Sequence, residues 1–329
     1  MTMRSFRHSS LLAAAALMAA NFASPAIAQP YPSKPITVVV PVAAGGAADA
    51  LARAWAAAVG KTLGTSVVVD NKPGANGTLA ASYVVKQPAN GYTIFFGSTS
   101  NMSLNPFSYK SLNYNPTRDF DPVTMLATTS QVLVASTASG IKSLDDLVRV
   151  ARAKPGSVDF GSAGKGNSTH LYVQFVADAY GLDLVHVPYK GAAPAMMGLL
   201  AGETSVVSDA LSSVVPQVKT GKITPLAIFG RHRSAALPNV PTIYEAGVKN
   251  FPEAGWYGLV VPKGTPPEVI ATLNAATAKF WADPETKSSL AALYMDPPTS
   301  LGPEGVRKAM AEEASVWGPI ITRLGIQND

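Results

Sequence analysis

Ile36–Pro41 (ITVVVP), then Ala43-Ala44-Gly45-Gly46, then a helical run through Asp49 and Arg53: a hydrophobic strand enters a Gly-rich turn, and a helix follows. The same order recurs at Val158–Gly161 (VDFG), Ser162-Ala163-Gly164-Lys165-Gly166-Asn167, and a helix from Ser168 or Thr169. A helix N-terminus leaves about four backbone N–H groups unpaired and carries roughly half a positive charge, so it accepts anions. Glycine lets the backbone approach a ligand closely. Two such junctions in separate halves of the chain point to a clamp for a small anion.

Outward from these junctions, strand-like and helical segments alternate nearly throughout, which is the pattern of an α/β protein. The helix from Ala47 to Leu63 puts Leu51, Trp55, Val59 and Leu63 four apart on one face. Strand Ser66–Asp70, a turn over Asn71–Gly77, a helix to Lys86 and strand Tyr92–Gly97 follow, then a polar loop, Ser98–Pro122. Val123–Ser136 reads as one long extended stretch that crosses between domains. Ser143-Leu144-Asp145-Asp146 opens a capped helix. A second α/β unit runs to strand Ile223–Phe229, and strand Trp256–Val261 with the terminal helices returns to the first. The expected division is a leader over 1–28, one discontinuous domain of 29–128 and 252–329, and a second domain of 129–251. Chain order A–B–A with two crossings is a hinge architecture.

Residues 1–28 read as a secretory leader: Arg4 and Arg7 form the basic start, Leu11–Ala20 the apolar core, and Ala26-Ile27-Ala28 the cleavage site. The apolar run is short for a membrane span of about 20 residues. The chain has no cysteine, and roughly 300 residues beyond the leader suffice for a large core without disulfides. A bacterial periplasmic location follows. Losing Arg4 and Arg7 lowers the formal charge from +5 to +3, and the surplus is scattered without a basic run. Nucleic acid and anionic membrane are therefore not expected partners.

Several motifs along the chain resemble one known family. Tyr31-Pro32-Ser33-Lys34-Pro35-Ile36 leads to Gly45-Gly46-x-x-Asp49-x-x-Ala52-Arg53, followed by Asn71–Gly77 and Asn105-Pro106. Gly161-Ser162-x-Gly164-x-Gly166-x-Ser168-x-His170, Val187–Gly191, Leu237–Thr242 with Glu245 and Gly247, Trp256–Leu259, and Glu313 with Trp317 continue the likeness. Together they resemble the solute receptors of tripartite tricarboxylate transporters, the Bug-type periplasmic binding proteins. The resemblance implies a two-lobed type II periplasmic binding protein fold, each lobe a mixed sheet flanked by helices. It implies a carboxylate ligand (a di- or tricarboxylate, acidic amino acid or aromatic acid), a small and a large membrane subunit or a sensor kinase as partner, and a monomer. The family often carries Phe before Pro-Gly-Gly in the first loop. Val42-Ala43-Ala44-Gly45-Gly46 replaces it here and removes an aromatic wall.

The candidate ligand-binding residues are Ala44, Gly45, Gly46, Asp49, Ser98, Thr99, Ser162, Asn167, Ser168, Thr169, Tyr189 and Asp209. The amides of the first loop would hold a carboxylate directly or through water, and Asp49 would cap or orient that loop. Ser98 and Thr99 follow a strand end, where α/β ligands sit, and their hydroxyls can donate to carboxylate oxygens; an ordinary ST-turn is the alternative. Ser162 and Ser168 are expected donors, with Asn167 and Thr169 beside them at a helix start that also needs a cap. Tyr189 either lines the cleft or packs at the hinge. Asp209 either accepts from a ligand amino or hydroxyl group or bonds to nearby amides.

An enzyme is not expected. His170, His186 and His232 do not form a metal-binding spacing, and no G-x-S-x-G elbow occurs. Neither a metal nor a cofactor is expected. A serine hydrolase built from Ser168, His170 and Asp209 is the enzyme alternative, opposed by helical geometry that turns residues two apart to different faces. His170 is expected to pack behind its loop.

Overall fold

A computed structural model describes residues 30–251, 255–298 and 300–328, and every element below lies within the compact unit Lys34–Asp329. The expected leader, 1–28, lies outside the described residues. Two mixed sheets organise the unit. In the first, β1 (Ile36–Val40), β2 (Val67–Asn71) and β3 (Thr93–Ser98) run parallel, while β10 (Gly255–Pro262) runs antiparallel between β3 and β4 (Phe120–Thr129). Its order is β11-β4-β10-β3-β1-β2, with β11 spanning Met295–Asp296. In the second, β6 (Val158–Ser162) pairs in parallel with β7 (Leu184–Pro188) and β8 (Val206–Ala210). There β5 (Gln131–Ser136) lies antiparallel to both β8 and β9 (Ile223–Phe229), giving the order β7-β6-β8-β5-β9.

The apolar runs form strands because parallel strands buried on both faces need unbroken hydrophobic sequence. Ile36, Val38, Val39 and Val40 of β1 are fully buried. Helix α1 (Ala47–Leu63) buries Leu51, Trp55 and Val59 on one stripe and stops at Gly64, whose φ of 65° is the left-handed C-cap glycine favours. After α2 (Thr78–Val85) and β3, the first part of the expected polar loop is instead helical. A π-turn over Thr99–Leu104 runs into α3 (Asn105–Ser108), and Asn101, Met102, Ser103 and Leu104 are buried. Several of its polar side chains pair with one another or with the next segment: Asn101 Nδ2 donates to Ser98 Oγ at 2.8 Å, and Asn105 Nδ2 to Tyr114 Oη at 3.1 Å.

One residue, Ser130, separates β4 in the first sheet from β5 in the second. In the second layer, α4 (Leu144–Ala153) starts at Ser143, whose hydroxyl accepts Asp146 N–H at 3.0 Å. Helices α5 (Ser168–Tyr180), α6 (Ala192–Ala201) and α7 (Leu211–Val218) alternate with β6 to β9. After β10 come α8 (Pro267–Ala282), α9 (Pro284–Ala292) and the long α10 (Pro303–Arg323). Val306 and Met310 of α10 sit in the core around Val39 and Phe95 of the first sheet. Trp317 and Ile321 sit in the core around Phe160, Leu171 and Phe229 of the second. Trp317 stacks on Tyr172 of α5, centroids 5.4 Å apart and 7° from parallel. The expected boundary gives α10 to the first domain alone; its second half is shared because a large indole there completes the second core.

Candidate functional site

The first junction is organised by Asp49, which is 3% exposed. Its carboxylate accepts Gly45 N–H, Arg53 Nε and Asn71 Nδ2, each at 2.9 Å. Asn71 also donates to Val42 O at 3.0 Å and accepts from Arg53 at 2.9 Å. Burial pushes the Asp49 carboxyl up, but these hydrogen bonds and the Arg53 charge outweigh it and hold the group below the usual range. Gly45, whose φ of 94° needs glycine, spends its amide inside this knot. Gly46 caps α1 without help from any side chain. The amides of Gly46, Ala47 and Ala48 meet no acceptor among the described residues, and a Cβ on Gly46 would touch nothing within 4 Å. Ala44 is exposed on the same loop. The first cradle is thus open, with Gly46 rather than Gly45 at its mouth.

Beside it, β3 and β10 present a polar wall. Ser98 and Tyr257 are register partners of an antiparallel pair, so their side chains share one sheet face. Phe96 lies on that face against the Tyr257 ring, centroids 5.2 Å apart. Ser98 Oγ accepts from Asn101 and keeps its proton to donate. Thr99 does not join it: its hydroxyl donates to Glu313 Oε1 at 2.8 Å and accepts Trp256 N–H at 3.1 Å, within a buried knot. That expected ligand donor is a structural group here, because Glu313 also takes the Trp256 indole N–H at 2.8 Å and needs both. Burial pushes the Glu313 carboxyl up to about 7 against those bonds.

The second junction is closed upon itself. Asn167 caps α5 by accepting Thr169 N–H at 3.1 Å, and Thr169 Oγ1 accepts Ala163 N–H at 2.8 Å. Ser162, 1% exposed, accepts Gly164 N–H at 3.1 Å and meets His186 Nε2 at 2.7 Å. Gly166 N–H donates to His170 Nδ1 at 3.0 Å. The two imidazoles stack with centroids 3.8 Å apart, and burial lowers His170 to about 3 and His186 to about 4. Ser162, Asn167 and Thr169 therefore hold the loop together through its own amides. Ser168 differs: its hydroxyl accepts from Gln131 Nε2 at 2.9 Å, and Gln131 Oε1 takes the Ser208 hydroxyl at 2.6 Å.

Asp209, the penultimate residue of β8, is buried next to this chain of hydroxyls, with its carboxylate accepting Ala210 N–H at 2.7 Å. Burial lifts it to about 6. Tyr189 turns away: its hydroxyl donates to Glu203 at 3.1 Å and its ring packs over Gly198 of α6. The Ser168–His170–Asp209 constellation is absent, because Ser168 bonds to Gln131 and His170 to Gly166. Among the described residues no cluster of three His, Cys, Asp or Glu could hold a metal, and no helix is long and apolar enough to cross a membrane. Lys165 O accepts from Asn76 of the first layer and from Asn328, both at 3.1 Å, joining the second loop to the first layer.

Two polar residues were not among the expected set. Tyr257 lies in strand Trp256–Val261, where alternate residues face opposite sides, so it points away from the side that Trp256 takes. Gln131 opens the apolar strand QVLVAS as its one amide side chain, directly after the crossing.

Comparison with known proteins follows the same outline. Residues 51–326 match the model of the tripartite tricarboxylate transporter family receptor. The fold is similar to an R. palustris protein solved with adipate, 32% identical, TM-score 0.83, covering 90% of this chain and 98% of that one. It is also similar to MatC from Rhodopseudomonas palustris with bound malate, 30% identical, TM-score 0.81, covering 88% and 100%. The periplasmic binding protein BugD is 29% identical with TM-score 0.81, covering 91% and 100%.

Proposed function

The chain belongs to the receptor family of tripartite tricarboxylate transporters, Bug-type periplasmic binding proteins rather than enzymes, and from that premise we propose that it captures a small carboxylate between its two sheets and delivers it to a small and a large membrane subunit. The observation that carries the reading is the uncapped start of α1, where Gly46, Ala47 and Ala48 offer free amides beside the Ser98 hydroxyl. These donors match an oxyanion. Adipate and malate in the related structures are both carboxylates. The crossing at Ser130 serves as a hinge between domains of 29–128 with 252–329 and 129–251, and ligand shifts an open–closed equilibrium. The leader 1–28 directs export, and the receptor works as a monomer.

A ligand that binds only the folded state stabilises it by about 2.7 kcal/mol at 100 times Kd. Screening mono-, di-, tricarboxylates and aromatic acids by thermal melting is expected to give a saturable rise with at least one acid and no turnover. A flat response across the panel contradicts the reading.

A further inference from the structure

Asp209 is a carboxyl that the fold buries without a counter-charge. It is 6% exposed and makes no ion pair among the described residues. Tyr257 stands on β10, half-buried against Phe96 and beside Ser98, and its hydroxyl has no hydrogen-bond partner among the described residues. Burial, and then the charge of Asp209, hold the phenol proton up to about 12, so Tyr257 is a donor throughout the working pH range. The two flank the crossing between the sheets. Tyr257 pairs with Ala127 on β4 and Asp209 with Val132 on β5, five positions apart along one extended stretch. They do not bond to each other, which leaves an acceptor from one sheet and a donor from the other open to a third group. A carboxylate offers about four lone-pair sites; the Ala210 amide and the Ser213 hydroxyl occupy part of these, and the remainder are open to a ligand donor.

We infer that Asp209 and Tyr257 receive the end of the ligand remote from its docked carboxylate, and select a hydroxyl or protonated carboxyl there over a second ionised carboxylate; the inference rests on the receptor reading above. A hydroxyl donates to Asp209 and accepts from Tyr257 at once. A second carboxylate would set like charges together in a buried site. An ammonium group satisfies Asp209 but cannot accept, and so leaves the phenol unpaired.

Calorimetry on the leader-free protein at about pH 8, where free carboxyls are ionised, tests this with two series of acids. The first is butyrate, 4-hydroxybutyrate, 4-aminobutyrate and succinate; the second is hexanoate, 6-hydroxyhexanoate, 6-aminohexanoate and adipate. The hydroxyl-ended acid of the better-fitting length is expected to bind at least about tenfold tighter than the dianion, the size of one charge-assisted hydrogen bond. Asp209→Asn, which offers an N–H, is expected to weaken the hydroxyl acid and strengthen the dianion. Tyr257→Phe is expected to weaken the hydroxyl acid about tenfold, and the ammonium acid less. Should Asp209→Asn fail to fold, the Tyr257→Phe ratio decides alone. A dianion that binds tightest to the wild type, with its rank unchanged in Asp209→Asn, overturns the inference and leaves the receptor reading standing. Absence of binding by every acid in both series and in the wider carboxylate panel overturns both.

Discussion

Asp49 and Gly46 sit three positions apart and divide the work of the first loop. Asp49 consumes the Gly45 amide and anchors Asn71 and Arg53, so the loop is held from behind; Gly46 leaves the helix start bare in front. Gly46→Val adds a branched side chain where nothing lies within 4 Å, at an ordinary φ of −85°. It is expected to cost under about 1 kcal/mol of apo stability while weakening carboxylate binding at least tenfold, on the order of one lost charge-assisted hydrogen bond. Denaturant melts beside binding isotherms check both parts. Asp49→Ala is expected to behave in the opposite proportion. It removes the acceptor of the Gly45 amide and of Arg53 Nε and one of the two acceptors of Asn71 Nδ2, costing about 1–3 kcal/mol of stability, and binding falls because the loop is no longer held. A melt unchanged from wild type would show that the loop does not depend on this carboxylate.

At the scale of elements, the loop between β6 and α5 rests on two neutral imidazoles, and this makes it sensitive to acid. In the folded chain His170 and His186 are lowered to about 3 and about 4, whereas the unfolded chain protonates them near 6.5. Below that pH the unfolded state binds protons that the folded state refuses, so stability falls as pH drops from about 6.5 toward those values. Asp209 and Glu313, raised to about 6 and about 7, act with the opposite sign: their contribution is present at low pH and lost as pH rises through those values. Wild type minus His186→Gln therefore isolates the histidine share. The difference is expected to shift against the wild type by up to about 1.4 kcal/mol per pH unit between about pH 6 and pH 4. A pH-independent difference would mean that His186 titrates normally. These same elements show what was legible beforehand. The runs Ile36–Val40 and Tyr92–Gly97, rich in Val, Ile and Phe, read as buried strands, and the structure places strands at Ile36–Val40 and Thr93–Ser98. Ser98–Pro122 concealed a helical segment because its Asn, Ser and Pro residues look like loop, and tertiary pairing such as Asn105 Nδ2 with Tyr114 Oη is not visible in spacing. The second junction carried the right residue types for an anion site, yet whether Asn167 and Thr169 face a ligand or their own amides is decided by caps that spacing alone does not reveal.

Across the whole molecule, α10 couples the two layers. Val306 and Met310 pack in one core, and Trp317 and Ile321 in the other, where Trp317 is surrounded by Tyr172, Phe175 and Phe251. Trp317→Ala is expected to cost about 3–5 kcal/mol and to lower a single calorimetric transition. Two separated transitions in the wild type would show that the layers fold independently of the helix. The most direct measurement of carboxylate capture is an amide NMR titration with the tightest acid from the panel. The amides of Gly46, Ala47 and Ala48 are predicted to shift with one common, saturating isotherm that matches the calorimetric Kd, while Gly45, already bonded to Asp49, moves little. Saturable binding that leaves those three resonances unmoved would contradict the account.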